Sequence, residues 1–516
     1  MLATVHSSTL LGIEAHPVTV EVHLGKGLPG FDIVGLPEAA VRESRVRVRA
    51  AIENSGFALE PRHVVLNLAP ADLRKHGAAL DLAIAIALLS AHGLCSPNRL
   101  HEGLLLGELS LTGDLSGIRG ALAHLRAAAA RNLKWAVVPS LNDSEASYAT
   151  DIETHVATNL RDVVEWLDEQ RPLPRASTNG VVPLFDTIDD MRDVHGQESA
   201  RRALEVAAAG SHNIMLVGPP GAGKTMLARR LTSILPHPSF RELIEIATIA
   251  GAAGALTDAR IAALGRPFRA PHHTASDVAI VGGGDPIRPG EITLAHGGVL
   301  FLDEIPEFRR GAIEALRTTM ELGVAVVARA RHRVTMPAQP LVVAAMNPCP
   351  CGHLGQTRKV CMCSQERIDA YRSKVSGPLL DRFDMHVALP AVNIRSLRAG
   401  GRGESSDTVR SRVQAAREFA IARGDRGDRA SRETISHLSA TANAASLMLL
   451  DQAAEALGLS ARGYGKVLRV ARTIADLEAN PAIEPHHIAE AAQYRVLDRR
   501  SGSLDSVPRA KPYQPS

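Results

Sequence analysis

Gly218-Pro219-Pro220-Gly221-Ala222-Gly223-Lys224-Thr225 has the residue types and spacing to hold a nucleoside triphosphate. Its glycines let successive backbone N–H groups converge on phosphate oxygens without Cβ clashes. A helix directly behind the loop adds the positive end of its dipole. In that arrangement Lys224 reaches the β- and γ-phosphates and the Thr225 hydroxyl binds Mg²⁺. The flanks agree: residues 213–217 are an apolar run suited to a buried strand, and residues 226–231 read as a helix.

Such a loop needs an acidic partner on a neighbouring strand. Gly298-Val299-Leu300-Phe301-Leu302-Asp303-Glu304 is an apolar run ending in two carboxylates. Asp303 is expected to hold Mg²⁺ through water, and Glu304 to polarise the attacking water. A third apolar run, residues 341–346, ends at Asn347, at the sheet edge where ligands of open α/β sheets bind. There Asn347 either orients the lytic water or serves as a turn former before Pro348.

Four of the five cysteines lie within fifteen residues, as Cys349-x-Cys351 and Cys361-x-Cys363. In a reducing compartment such clustering points to metal rather than disulfide, and four thiolates suit tetrahedral Zn²⁺. The C-x-C spacing is tighter than the usual zinc pattern, so a reduced loop without metal stands as the second reading. Cys95, isolated among apolar residues, reads as core.

Three groups of basic residues share helical faces. They are Arg462, Lys466, Arg469 and Arg472; seven arginines between 410 and 432, against Glu418, Asp425 and Asp428; and Arg42, Arg45 and Arg49. Each face either meets a phosphate backbone or is simply solvated. Lys75 has the same two readings, phosphate contact or solvated surface lysine.

These residues need several cores to position them. A chain of 516 residues divides into three or four units at roughly 100–200 residues each. Residues 1–169 read as a mixed α/β domain. Residues 18–24 and 64–68 are expected strands, residues 38–54 a helix, and residues 80–89 a buried helix. Residues 170–183, rich in Pro, Ser, Thr and Gly, read as a linker. The motor core is expected over 184–394, a flexible connection over 395–407, a helical lid over 408–499 and a disordered tail over 500–516.

Hydrophobic residues are 45% and charged residues 22% of the chain, an ordinary globular balance. Aromatics are only 3%, which argues against an extensive base-stacking platform. A net charge of +3 leaves DNA contact to local patches. Residues 1–10 lack the pattern of a secretory signal, and residues 78–91 are too short to span a bilayer, so a cytoplasmic protein is expected.

Taken together, residues 218–225, Arg266-Pro267-Phe268-Arg269-Ala270-Pro271-His272-His273, residues 300–304, Asn347-Pro348-Cys349-Pro350-Cys351-Gly352 and Ser376-Gly377-Pro378-Leu379-Leu380-Asp381-Arg382 resemble the ComM/YifB family of magnesium-chelatase-like AAA+ ATPases. The resemblance runs from near residue 20 to near residue 498. It implies an AAA+ P-loop NTPase core with a helical lid, preceded by a Lon-protease-like, ribosomal-protein-type α/β domain. It implies a homo-oligomeric ring, commonly a hexamer, with ATP between subunits. Arg382 becomes the expected arginine finger acting on the neighbour. Arg462 becomes the expected sensor arginine, contacting nucleotide in its own subunit.

Lon-type peptidases need a Ser–Lys dyad. The matching loop, Lys75-His76-Gly77-Ala78-Ala79-Leu80-Asp81, has no serine, and the positions around Leu122 and His124 have no lysine. Peptidase activity is therefore not expected. The resemblance implies a DNA motor, acting in branch migration during natural transformation. A chelatase-type motor subunit and a protein-remodelling ATPase are the alternatives.

Overall fold

The computed structural model describes residues 2–36, 39–177, 189–256, 265–329, 332–356, 359–391, 403–424 and 434–498. The anticipated helix start at Glu38 falls outside them. So do residues 178–183 of the expected linker, most of the flexible connection, Asp425, Asp428, three of the seven arginines of the second basic face, and the tail.

In the N-terminal unit, β1 (Leu2–Leu11) and β2 (Glu14–Gly25) pair antiparallel, Leu11 opposite Glu14. Val18, Val20 and Val22 alternate into the core, as a half-buried strand requires. β3 (Gly30–Val34), α1 (Ala39–Asn54), β4 (His63–Ala69), α2 (Asp81–Ala91), β5 (Gly103–Leu105), α3 (Ala121–Ala130), β6 (Trp135–Pro139) and β7 (Glu153–Ala157) follow. The strands form one mixed sheet in the order β3-β4-β2-β1-β5-β6-β7. Every residue of α2 is buried, which explains its apolar composition on all sides. Its one charge, Asp81, accepts from Ser44 Oγ, from Arg47 Nε at 3.1 Å and from the Leu109 amide at 3.4 Å.

The positions matching the peptidase dyad are given over to packing. Leu122, on α3, joins an apolar cluster with Tyr148, Leu243 and Ile246. His124 is buried, 2.7 Å from Ser8 Oγ, and burial pushes its imidazole down to about 4. Lys75 corrects both sequence readings: it is neither solvated nor open to a phosphate. It is 0% exposed and donates to the Pro70 carbonyl.

Residues 171–177 also differ from the expected linker. Leu173 and Ala176 are buried, Ala176 N donates to Thr154 O at 2.8 Å, and Arg175 pairs with Glu153 at 2.7 Å. Two apolar side chains are enough to lay the segment along β7.

The motor core begins with α4 (Glu198–Gly210), β8 (Ile214–Val217), α5 (Lys224–Ile234), α6 (Phe240–Ala252), β9 (Phe268–Arg269), β10 (Val299–Leu302) and α7 (Arg310–Leu322). An antiparallel hairpin, β11 (Val324–Arg329) and β12 (His332–Pro337), comes next. It is followed by β13 (Leu341–Met346), α8 (Gln365–Ser373), α9 (Gly377–Leu380) and β14 (Met385–Ala388). The sheet is wholly parallel in the order β9-β10-β13-β8-β14. All six residues of β13 are buried, as expected of a central parallel strand covered on both faces.

The longer helices of the lid are α10 (Ser406–Ala422), α11 (Ala444–Leu457), α12 (Ala461–Leu477) and α13 (Pro485–Gln493). It starts two residues before the expected boundary, because the Ser405 side chain caps α10 by accepting from Thr408 N.

The N-terminal unit packs on the motor at several places, of which two stand out among the described residues. Arg119 Nη2 donates to Ala252 O at 2.8 Å, at the C-terminal end of α6. The β1–β2 turn meets the hairpin: Leu11 and Ile13 share an apolar core with Val327, Val334 and Met336. Gly12, at φ +66°, lies so near that a Cβ there would be 2.7 Å from Val334 Cγ1.

Candidate nucleotide site and subunit-facing cavity

The phosphate loop leaves β8 through Gly218 and enters α5 at Lys224, with Gly223 as the residue before the helix. Gly221 and Gly223 have φ of 77° and 82°, values that side chains with a Cβ rarely adopt. Lys224 Nζ donates to Gly218 O at 2.7 Å, to Pro219 O at 3.1 Å and to Asn347 Oδ1 at 2.9 Å. Burial lowers its pKa, against the pull of Asp303 and Glu304. Thr225 Oγ1 donates to Asp303 Oδ2 at 3.0 Å. The five residues singled out from three separate stretches of sequence thus meet at the C-terminal edge of one sheet.

Asp303 and Glu304 follow β10. Glu304 has φ 50° and ψ 48°, a left-handed conformation that costs a non-glycine residue about 1 kcal/mol. Its own amide donates to Asp303 Oδ1 at 3.0 Å. Glu304, Asn347, Tyr371 and Lys374 line a cavity of about 490 Å³. His273 Nδ1 comes within 4.0 Å of Glu304 Oε2. Sequence reasoning gave no role to His273, although the His272-His273 pair was the available signal.

Arg382 and Arg462 lie elsewhere. Together with Glu321 and Arg469 they line a second cavity, of about 700 Å³. Asn213 also lines it, immediately before β8, whereas Gly218 comes immediately after that strand. The two sites therefore sit at opposite ends of β8, roughly 13 Å apart along a four-residue strand. Arg382 Nη2 is 2.5 Å from Glu321 Oε2. Arg462, expected to contact nucleotide in its own subunit, thus lines the same cavity as Arg382, at the end of β8 away from the phosphate loop.

Two residues of the basic face on α12 are structural. Lys466 donates to Phe383 O at 2.9 Å and to Asp381 O, and Arg472 bonds Asp476 and the Pro481 carbonyl. On α10, Arg412 pairs with Glu205 and Glu404, and Arg417 donates to Ala208 O. Arg42, Arg45 and Arg49 are exposed on α1.

The four clustered cysteines converge. Their Sγ atoms all lie within 4.8 Å of one another, with three separations of 3.4, 3.6 and 3.6 Å. Zinc–sulfur bonds of about 2.3 Å put tetrahedral sulfurs about 3.8 Å apart, so the donor set fits that ion. The Leu354 amide donates to Cys349 Sγ at 3.4 Å, and the amide of His353 draws the Cys351 thiol down to about 6. Cys95 is buried, as expected.

No described helix is long and apolar enough to cross a membrane. A family model described as "Magnesium chelatase, subunit ChlI" matches residues 190–397. Two further models, "Subunit ChlI of Mg-chelatase" and "Magnesium chelatase, subunit ChlI C-terminal", match residues 20–142 and 403–495. Competence protein ComM of Haemophilus influenzae is 41% identical over 514 residues, covering 98% of this chain and 100% of its own. Protein YifB of Escherichia coli is 43% identical over 500 residues, covering 96% and 98%. A stretch of 51 residues, 10% of this chain, is 37% identical to an archaeal Lon protease of Halobacterium salinarum, of which it covers 7%. Full-length similarity of this kind, on a parallel-sheet P-loop core with a helical lid, makes the chain a member of the ComM/YifB family of magnesium-chelatase-like AAA+ ATPases.

Proposed function

We propose that this protein is an ATP-hydrolysing motor that works as a homo-oligomeric ring, probing and moving branched DNA in the cytoplasm. One observation carries the ring: the phosphate loop and the arginine-lined cavity lie at opposite ends of β8. A guanidinium held there serves a nucleotide best when that nucleotide belongs to the next subunit. Arg382 is then the finger, and Arg462 reaches the same neighbour's phosphates from the lid. A hexamer is the ring size that the family resemblance favours.

ATP would lie along residues 218–225, with Mg²⁺ neutralising phosphate charge beside Thr225 Oγ1 and Asp303. Glu304 takes the proton of the attacking water, and Asn347 fixes that water's direction. Lys224, now on Gly218 O, Pro219 O and Asn347, exchanges those neutral acceptors for phosphate oxygens. Cys349, Cys351, Cys361 and Cys363 hold one structural Zn²⁺.

Similarity to a competence protein supports the DNA reading, and branch migration in natural transformation is the role that the family resemblance implies. The exposed arginines of α1 support it as a phosphate-facing surface. Two measurements test the reading. Branched DNA should raise ATP turnover; no response would favour a chelatase-type or protein-remodelling motor. Inactive Arg382→Ala subunits mixed with inactive Lys224→Ala subunits should recover part of the activity, since some boundaries then pair an intact loop with an intact finger. A co-assembled mixture that stays inactive would overturn the shared site.

A further inference from the structure

We propose that the four-cysteine centre is a positioning element for ATP hydrolysis: a bound zinc ion fixes Asn347 and braces the phosphate loop through Gly352 and Pro220. The proposal rests on the ATPase reading above and gives the metal a task beyond folding.

The covalent path is short. Asn347 stands two residues before Cys349, the most buried of the four ligands at 0% exposure. Its Oδ1 accepts from Lys224 Nζ at 2.9 Å, so any shift of this segment is felt at the loop lysine. Between them, the Pro348 carbonyl is held by Arg372 Nε at 3.2 Å and Nη2 at 3.1 Å.

The second path runs through space. The turn after Cys351 brings Gly352 against the phosphate loop, and the Gly352 amide donates to Cys349 O at 2.9 Å. At φ +76°, a Cβ on Gly352 would lie 2.6 Å from Pro220 Cδ and 2.9 Å from its Cγ. Only a residue without a Cβ seats the knuckle this closely on Pro220.

What closes the loop is not apolar packing. Val360 and Met362, which flank Cys361, are 82% and 87% exposed. Among the described residues from 350 to 364, Gly352 alone is buried. A segment that buries so little relies on its metal for a fixed shape. The sulfurs are free thiols spaced for a tetrahedral ion rather than bonded in pairs. Because the ligands bind as thiolates, loading releases protons and fixes the turn in one step.

The experiment uses the full chain purified without added metal. One equivalent of zinc is expected by elemental analysis. Removing it under reducing conditions should lower kcat by up to about 100-fold, the loss a displacement of about 1 Å can produce at a reacting centre. Affinity for a fluorescent ATP analogue should weaken as Pro220 loses its brace, and zinc added back should restore both. In an Asn347→Ala background, zinc removal should change kcat little further, because the group it positions is gone. Gly352→Ala, which keeps all four thiols, should retain zinc yet lose turnover, and Pro220→Ala combined with it should recover part of the loss.

Four freely titratable thiols and no zinc would overturn the proposal. So would equal kcat and affinity with and without zinc, or additive effects of zinc removal and Asn347→Ala. Should zinc-loaded protein bind ATP but hydrolyse none, the ATPase reading fails by itself; analogue affinity with and without zinc then decides the brace.

Discussion

Lys75 is buried and Lys224 half-buried; both have a pKa lowered first of all by desolvation, and both donate to carbonyls of a proline-containing loop. They do opposite things. Lys224 sits among Asn347, Asp303 and Glu304, on a loop whose glycines leave backbone N–H groups accessible. Lys75 has the Pro70 carbonyl and the more distant charge of Asp72. Burial alone does not make a functional lysine. Convergence of oppositely charged and phosphate-shaped surroundings does, and that convergence distinguishes the motor from the domain in front of it.

The sharpest way to break this comparison is a pair of substitutions. Lys224→Ala should abolish nucleotide binding or hydrolysis, because it removes the mobile cation of the cradle. Lys75→Met, which keeps the length and apolar stem, should leave nucleotide binding and turnover unchanged. Equal loss in both variants would show that the N-terminal unit takes part in the nucleotide cycle.

A second test stays within the motor. Glu304→Gln is nearly isosteric but cannot take the water's proton. Turnover should fall by about 10²- to 10⁴-fold while ATP affinity survives, trapping the loaded assembly. Loss of ATP binding instead would mean that the left-handed turn at Glu304, rather than its carboxylate, is what matters.

The smallest expected effect lies where the two regions touch. Glu145 accepts from the Leu122 amide at 3.0 Å, and burial pushes its carboxyl up to about 7 from an ordinary 4.5. The folded state therefore keeps a proton that the unfolded chain gives up. That contribution is complete below about pH 4.5 and is lost as pH rises through 7, up to about 3 kcal/mol. Glu145→Gln should flatten this dependence, so its difference in urea stability between pH 5 and pH 8 should be smaller than the parent's. An unchanged difference would place the titration on another group.

The sequence made the phosphate site legible because its parts are local: a glycine loop, an acidic strand end and an asparagine each carry their own apolar run. The same locality misled at Lys466 and Arg472. Helical spacing put them on one basic face, but the carbonyls of Asp381 and Phe383 that hold Lys466 come from a turn some eighty residues away. Lys75 failed for a similar reason, since its burial depends on how the loop before α2 folds back on Pro70. Arg462 joined Arg382 only once the lid was docked, which no spacing could reveal. The cysteines were legible as a group, but their contact with Pro220 through Gly352 was not, because nothing in a glycine names its neighbour.

The β1–β2 turn has a mechanical meaning. Gly12 meets Val334 with no room for a methyl group between them, and Leu11 and Ile13 fill the flanks. The joint between the front domain and the hairpin therefore has no backlash. A hairpin that shifts by even one methyl's width must carry the front domain along or tear the contact open. At this joint the N-terminal domain and the hairpin are therefore coupled as one body.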